Sequence, residues 1–248
     1  MPFALEVLYE DNHLLAVNKP AGLPTMGTPG GSPTLLTAAR DYIKQKYKKP
    51  GNVYLGVVSR LDAPVTGVVL LARTSKAAAR LTEHFRDHLV QKVYWALVEG
   101  TVVPDAGSYV DWLAQDERHR RMHIVGRNLP GAKEARLSYR RLSTIGARHF
   151  TAVSAKGRTA SRPISSPEPA FSLLEVALET GRKHQIRLQL SHHGHAIVGD
   201  RKYGSPWAFA HGIALHARRL VVAHPVRAER LNLEAPLPAD WRKFGVHD

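Results

Sequence analysis

Residues 59–67 read Ser59-Arg60-Leu61-Asp62-Ala63-Pro64-Val65-Thr66-Gly67 and place a carboxylate where a strand is broken by a proline. Apolar character predicts one strand over residues 53–61 and a second, fully buried strand over residues 67–72. Proline cannot donate to a strand ladder, so the chain becomes irregular there and Asp62 is predicted at a strand end. A carboxylate in that position can act as a nucleophile or base on a sugar, although Arg-Leu-Asp considered alone is more typical of a surface turn.

Two other parts of the chain combine polar groups with apolar ones. Residues 181–187 read Gly181-Arg182-Lys183-His184-Gln185-Ile186-Arg187, and residues 194–204 continue with Gly194-His195-Ala196-Ile197-Val198-Gly199-Asp200 and end in Tyr203-Gly204. Ordinary turns can explain each glycine separately. A strand over residues 93–98 carries Tyr94, for which packing in the core is the simpler interpretation.

Helices and strands are predicted to alternate along the whole chain, which favours a single domain. Helices are expected over residues 34–47, 74–88 and 181–190. Further strands are expected over residues 5–9, 14–18, 122–125, 150–153, 172–178 and 213–223. Residues 156–169 are rich in Ser, Pro and Arg and predict an exposed loop. The segment from Pro236, with Trp241, closes the chain.

The charge balance indicates a polyanionic partner. The 248 residues include 35 Lys and Arg against 21 Asp and Glu, a formal net charge of +14. Such a charge accelerates association with phosphate backbones, and the run from Arg118 to Arg121 could touch RNA. The alternative is a basic surface that serves only solubility. A membrane surface is disfavoured as the partner, because the sequence contains no strongly amphipathic basic helix.

Several kinds of chemistry are excluded or disfavoured by composition. The absence of cysteine excludes disulfides, thiol nucleophiles and Cys-ligated zinc. A metal site is disfavoured because His84 and His88 lack the Glu of a His-Glu-x-x-His motif, and the cluster at residues 192–195 can equally be explained by helix termination or RNA contact. The N-terminus lacks the pattern of a signal peptide, and the longest apolar run is too short to cross a bilayer, so we expect a cytosolic protein.

Taken in this order, the segments resemble the RluA-type family of pseudouridine synthases. The similarity includes the Arg-Leu-Asp segment with Thr66-Gly67, the Lys-x-Tyr strand, the Gly-Arg-x-His-Gln-Ile-Arg and Gly-His-x-Ile-x-Gly-Asp-x-x-Tyr-Gly segments, and Leu215-His216-Ala217. It covers approximately residues 5–225. The chain departs from the usual family pattern at five positions, which bear on the RNA target and the subfamily. They are Ser59, Val65, Thr66, Gln189 and Ala196.

The resemblance implies an α+β pseudouridine synthase fold: a mixed, mostly antiparallel central sheet with flanking helices and a central RNA-binding cleft. Residues 1–248 would form one catalytic domain with no N-terminal S4-like module. The implied partner is structured ribosomal or transfer RNA, with no membrane, no metal and no cofactor, and the protein is expected to be monomeric. The implied site has Asp62 as the catalytic carboxylate and Arg187 as its partner. Tyr94 would pack on the target uracil and take part in C5 proton removal, and Leu215 would supply apolar packing. Arg60 would help to displace the base, and His184 and Gln185 would contact the substrate.

The implied reaction converts uridine to pseudouridine and uses no outside group. This agrees with the absence of a Gly-x-Gly-x-x-Gly or Walker-type loop. Asp62 could attack ribose C1′ or remove a ribose proton, and the sequence leaves both routes open. A non-catalytic RNA-binding or ribosome-assembly protein on the same fold is the alternative, against which the joint presence of Asp62, Tyr94 and Arg187 argues.

Overall fold

The computed structural model describes residues 4–27, 32–116, 121–146, 152–153, 159–160 and 170–248. These residues belong to two compact units, Met1–Lys92 with Ala217–Leu237 and Val93–His216 with Pro238–Asp248. Most of the loop expected over residues 156–169, and Arg118 to Arg120 of the basic run, lie outside the described residues. The expectation of one catalytic domain without an S4-like module stays a prediction.

Strands outnumber helices in both units. The strands are β1 (Glu6–Glu10), β2 (Leu14–Lys19), β3 (Gly56–Val57), β4 (Thr66–Ala72), β5 (Gln91–Glu99), β6 (Ala106–Asp116), β7 (Arg121–Val125), β8 (Lys133–Gly146), β9 (Ala152–Val153), β10 (Thr159–Ala160), β11 (Ala170–Leu178), β12 (Leu215–Ala223) and β13 (Arg230–Glu234). The helices are α1 (Leu35–Lys46), α2 (Ser75–Arg86) and α3 (Gln185–His192), with 3-10 turns at Arg201–Tyr203 and Ala239–Phe244.

The first unit is a sheet with a helix on each face. Its strand order is β1-β2-β4-β12-β13, and β3 also pairs with β4. Because side chains alternate along a strand, one set faces α1 and the other faces α2. The α1 side contains Leu15, Val17, Val69 and Leu71 against Leu35, Ala39 and Ile43. The α2 side contains Leu14, Ala16, Val68 and Leu70 against Ala77 and Leu81. All seven residues of β4 are buried, which explains its continuous apolar sequence.

Threonine caps begin both helices of this unit where the sequence predicted them. The Thr34 side chain accepts from the Thr37 amide, and the Thr37 side chain accepts from the Thr34 amide, which forms a capping box. The Thr74 side chain likewise accepts from the Ala77 amide. Each cap satisfies an amide that would otherwise lack a helical partner.

The strand expected over residues 53–61 is wrong in its length. Only Gly56–Val57 pairs with β4. Beyond β3, the Ser59 hydroxyl accepts from the Leu70 amide at 3.2 Å and donates to the Leu70 carbonyl at 3.4 Å. A side chain therefore takes over both backbone groups of β4 that a strand would pair, and the chain leaves the ladder before Asp62.

The second unit contains antiparallel strands in the order β5-β11-β8-β6-β7. The α3 residue Leu188 packs with Leu113, Met122 and Ala135 of the sheet and with Tyr203. Strands β6 and β8 were not predicted, because their segments are rich in polar and charged residues, although Ala135, Leu137 and Tyr139 of β8 are buried at alternate positions. The pairs β1–β2, β2–β4, β3–β4 and β12–β13 of the first unit and β5–β11, β11–β8, β8–β6 and β6–β7 of the second are antiparallel, which confirms the predicted α+β class with its mostly antiparallel sheet. None of the helices in the described ranges has the length and apolarity needed to cross a membrane.

A carboxylate in the β1–β2 turn joins distant parts of the first unit. Burial alone would raise the pKa of Asp11, but the hydrogen bonds made to its carboxylate outweigh that effect and lower the pKa to about 2. The donors are the amides of His13 and Leu14 at 2.8 and 2.7 Å, Tyr9 Oη at 3.0 Å, His224 Nε2 at 2.8 Å and Arg227 Nη2 at 2.6 Å.

We expect Asp11→Asn to lower the free energy of unfolding by about 2 kcal/mol at neutral pH. The folded pKa lies below the ordinary value, so this stabilisation is complete above pH about 4 and is lost as the pH falls through about 2. Urea unfolding at a series of pH values measures it, with the exposed helix residue Asp41→Asn as control. A difference between wild type and Asp11→Asn that does not shrink in acid would contradict this prediction.

Candidate active site

Asp62 lies in a half-buried turn of the first unit whose backbone is held on both sides. Before it, the Thr25 hydroxyl donates to the Leu61 carbonyl at 2.9 Å and accepts from the Leu61 amide at 3.1 Å. After it, the Ala63 carbonyl accepts from the Gly22 amide at 2.8 Å. The Asp62 carbonyl itself closes the turn by accepting from the Val65 amide at 3.1 Å. These bonds hold the backbone that carries the carboxylate, as a preorganised catalytic group requires.

A buried lysine supports the same turn. The Lys19 side chain is fully buried, and its Nζ donates to the carbonyls of Pro20, Leu23 and Ala63 at 2.8, 2.8 and 3.0 Å. Three acceptors match the three N–H groups of an ammonium ion. Burial lowers the pKa of Lys19 to about 7, and the negative charge of Asp62 acts in the opposite direction. Lys19 is thus a tether for the turn, and the negative charge of Asp62 favours its protonated form.

We expect Lys19→Met to lower the free energy of unfolding by about 2–4 kcal/mol, because buried carbonyls would lose their donors. The activity implied by the resemblance should fall as well, since the turn that carries Asp62 loses a tether. Chemical unfolding and single-turnover rates measure the two effects, and Lys76→Met, an exposed lysine of α2, is the control. Equal stability and rate in the two variants would refute a supporting role for Lys19.

Gly67, at the start of β4, allows a close approach of two strands. Its φ is +112°, and a Cβ there would collide with the backbone of Ala217. Only glycine accepts both the backbone conformation and the contact. Gly67 of the Thr66-Gly67 motif is therefore required for the packing of the first unit.

Arg187, in the second unit, is held by a buried ion pair. Its Nε and Nη2 donate to Oδ2 and Oδ1 of Asp200 at 2.6 and 2.9 Å, and both side chains are almost inaccessible. The guanidinium also lies over the Tyr203 ring, 5.1 Å from its centroid. A bidentate bond and a stacked face together define the orientation of a guanidinium.

Two predicted substrate contacts anchor the segment before Arg187. The Gln185 side chain accepts from the Thr180 hydroxyl and the Arg182 amide at 2.8 and 2.9 Å, and it donates to the Arg136 carbonyl at 2.9 Å. His184 adopts a left-handed conformation with φ 56° at the start of α3, and its Nδ1 lies 2.7 Å from Tyr203 Oη. These bonds show that both side chains stabilise the segment before Arg187. Their contact with substrate stays a prediction.

The remaining predicted site residues are divided between the units. Arg60 is exposed and lies two residues before Asp62 in the first unit. In the second unit, Tyr94 is half-buried on β5 opposite Val176 of β11. Leu215 is buried at the start of β12. The structure thus groups Arg60 with Asp62, and His184 and Gln185 with Arg187. The pairing of Asp62 with Arg187 stays a prediction from the resemblance.

The histidine cluster that ends α3 has separate partners. His193 Nε2 lies 3.2 Å from Asp111 Oδ2, and its ring stacks on Tyr109. His195 Nδ1 lies 2.9 Å from the Glu99 carbonyl. Within the described ranges, no three His, Asp or Glu side chains converge as metal ligands would.

Two supporting residues were missed by sequence analysis. Asp200 belongs to the Gly-His-x-Ile-x-Gly-Asp motif, and its position shortly after the apolar Ile197-Val198 is the signal for burial, which would require a cationic partner. Lys19 carried no such signal, because lysine is among the residues least often buried. Only the structure identifies it.

Comparisons with known proteins agree with this geometry. A family model described as RNA pseudouridylate synthase matches residues 13–192. The tRNA pseudouridine synthase C of Salmonella typhi is 32% identical over 248 residues, which cover 96% of this chain and 87% of that protein. The ribosomal large subunit pseudouridine synthase D of Zymomonas mobilis is 32% identical over 250 residues, covering 96% and 71%.

A solved structure supports the fold as well. The human RNA pseudouridylate synthase domain containing 4 superposes with a TM-score of 0.70 at 25% identity, over 97% of this chain and 93% of that one. The predicted fold and family are thereby confirmed. The chain belongs to the RNA pseudouridylate synthase family, whose members are isomerases that form pseudouridine.

Proposed function

We propose that this enzyme isomerises specific uridines of a structured ribosomal or transfer RNA, with Asp62 as the catalytic carboxylate. The observation that carries the proposal is the held turn around Asp62 in a member of this family. The net charge of +14 supports an RNA substrate, and relatives named for both ribosomal and transfer RNA support those two classes. A cytosolic location and a monomeric state are parts of the same proposal.

The proposed reaction is balanced without an added reagent. The bond from ribose C1′ to uracil N1 breaks, the uracil turns, and C1′ bonds to C5. C5 then loses its proton and N1 gains one, so that the product is an isomer of the substrate. Asp62 either attacks C1′ or removes a ribose proton, and both routes need an ionised carboxylate in a defined position.

The other site residues take roles around that carboxylate. Tyr94 packs on the target uracil and assists in C5 proton removal, while Leu215 supplies apolar packing. Arg187 acts as the cationic partner of Asp62. The target must leave the base stack at a cost of roughly a few kcal/mol, and the exposed guanidinium of Arg60 can replace it in the stack.

Release of tritium from RNA transcripts labelled at uracil C5 tests the proposal, because forming the C1′–C5 bond displaces that hydrogen. We expect release from a ribosomal or transfer RNA transcript with the purified protein, and none from transcripts whose target uridine is changed to cytidine. No release from the complete set of ribosomal and transfer RNAs of the source cell would contradict the proposed substrate class.

We expect RNA affinity to fall steeply with salt. A protein that neutralises about six to ten phosphates loses about 10³–10⁵ in affinity between 50 and 200 mM salt, because counterions are released on binding. Filter binding over a salt series gives the slope, and the intrinsic fluorescence of the protein's own Trp residues controls for salt effects on the fold. A flat profile would mean that the +14 charge is not used in RNA binding.

A further inference from the structure

The second unit contains a cavity that the proposed chemistry does not use. It has a volume of about 450 Å³ and lies among β7, α3 and the 3-10 turn at Arg201–Tyr203. Its lining residues are Arg121, Met122, His123, Ile124, Leu188, Ser191, His192 and Tyr203. Small-ligand sites have volumes of about 300–1,000 Å³, so the cavity can hold a nucleotide.

The floor of the cavity is apolar and well ordered by packing. Met122, Leu188 and Tyr203 belong to one buried cluster, with Ile124 packed against it. On α3, Leu188, Ser191 and His192 occupy positions i, i+3 and i+4 and therefore share one side of the helix. Arg187 lies one turn before Ser191, at the edge of that side, and it contacts the lining residue Tyr203 without itself lining the cavity.

The rim of the cavity is polar and carries the positive charge of Arg121. Arg121, His123 and His192 are exposed, no carboxylate is among the lining residues, and Asp116 Oδ2 lies 3.8 Å from His123 Nε2. The Arg121 guanidinium lies over the Tyr203 ring, 5.3 Å from its centroid, and donates to the Lys202 carbonyl. The Tyr203 ring therefore makes cation–π contacts with two guanidinium groups, that of Arg121 and that of Arg187, which lies 5.1 Å from the ring centroid. These contacts hold one rim cation in place at the mouth of an apolar cavity.

We propose that this cavity binds an unpaired nucleotide of the RNA substrate other than the target uridine, with the base on the apolar floor and the phosphate at the Arg121 rim. Apolar and aromatic walls beside cations are how proteins bind single-stranded bases and their backbone. The occupant rests on the proposed function, because it assumes an RNA substrate. The cavity would be a second site of RNA recognition that takes no part in the isomerisation.

Methionine labelling offers a direct test, because the chain has only three methionines and one of them lies in the cavity floor. With [ε-¹³C]methionine, the Met122 methyl reports on the cavity, and the exposed Met26 of the first unit is an internal control. Separate titrations use the four nucleoside 5′-monophosphates, the corresponding nucleosides and inorganic phosphate. We expect at least one monophosphate to shift Met122 and not Met26, with weaker effects of its nucleoside and of phosphate.

Variants of the rim connect the cavity to RNA. Arg121→Glu should weaken binding of a substrate RNA about tenfold and leave the single-turnover rate at saturating RNA unchanged. Arg86→Glu, an exposed arginine of α2, is the matched control for the change in net charge. His192→Ala, which removes a rim ring without reversing charge, provides a second variant should Arg121→Glu fold poorly.

The proposal is overturned if Met122 is unmoved by every monophosphate, if phosphate alone shifts it as strongly, or if Arg121→Glu and Arg86→Glu weaken RNA binding equally. The methyl titration involves no turnover. Its failure therefore leaves the assignment of Asp62 standing, and an inactive protein whose Met122 still responds would count against the proposed function alone.

Discussion

Replacement of Asp62 by asparagine should abolish pseudouridine formation while fold and RNA affinity remain close to those of wild type. The change removes a carboxylate that is to act on the ribose and hardly alters side-chain volume. The turn is held by backbone groups of Leu61 and Ala63, which Asp62→Asn leaves in place. Loss of an essential nucleophile or base typically costs many orders of magnitude in rate.

Tritium release under single-turnover conditions measures the loss, and thermal unfolding and filter binding verify the fold and the affinity. Asp41→Asn, an exposed aspartate on α1, is the matched control and should be fully active. Turnover by Asp62→Asn above a few per cent of wild type would remove Asp62 from its essential role. A variant that does not bind RNA would instead assign Asp62 to recognition.

Arg187→Met should reduce the rate by at least about a hundredfold, and Arg187→Lys should retain part of the activity. Lysine preserves the charge but cannot reproduce the bidentate bond to Asp200. Arg187→Met also leaves a carboxylate buried without its partner, which costs about 3–5 kcal/mol of stability. Rates must therefore be compared at a temperature where each variant is shown by circular dichroism to be folded.

A double variant separates catalysis from structure at this pair. In Arg187→Met with Asp200→Leu, neither charge is left buried alone, and apolar replacements of buried ion pairs are often neutral in stability. We expect the double variant to regain stability relative to Arg187→Met but not activity. Recovery of wild-type activity would mean that Arg187 serves only to neutralise Asp200.

Local signals in the sequence were sufficient for most of the first unit. Thr34 and Thr74 are side chains that favour helix caps, and both helices begin directly after them. Residues 68–72 of β4 are all apolar because helices cover both faces of the sheet. These features depend on neighbours in sequence or on one simple packing rule, which is why they could be predicted.

The errors arose where tertiary contacts decide. Residues 53–61 have the composition of a strand, yet the Ser59 side chain bonds to Leu70 and replaces the ladder. Strand β6 was missed because its inward positions include a polar group, Asp111, which Gln189 and His193 contact. Strand β8 was missed although Ala135, Leu137 and Tyr139 alternate with polar residues, because the segment as a whole is polar and cationic. The Ser59 contact and the partners of Asp111 have no signature in the local sequence, whereas the alternation in β8 is one.

The candidate site shows the same division. Asp62 and Arg187 belong to sequence motifs, residues 59–67 and 181–187, and could therefore be predicted as site residues. The groups that hold them, Lys19 and Asp200, lie 43 and 13 residues away along the chain, and their partners follow only from the fold. A buried lysine in particular opposes the ordinary preference of that residue for solvent.

Complementation with pseudouridine mapping tests the central claim most directly. Ribosomal and transfer RNA would be mapped at single-nucleotide resolution from cells that lack this protein and carry either the wild-type gene or Asp62→Asn, with equal protein levels. We predict that at least one site is pseudouridine with the wild-type gene and uridine with Asp62→Asn. A site restored equally by both genes, or no site that depends on the protein, would contradict the assignment of Asp62 as the catalytic carboxylate of this enzyme.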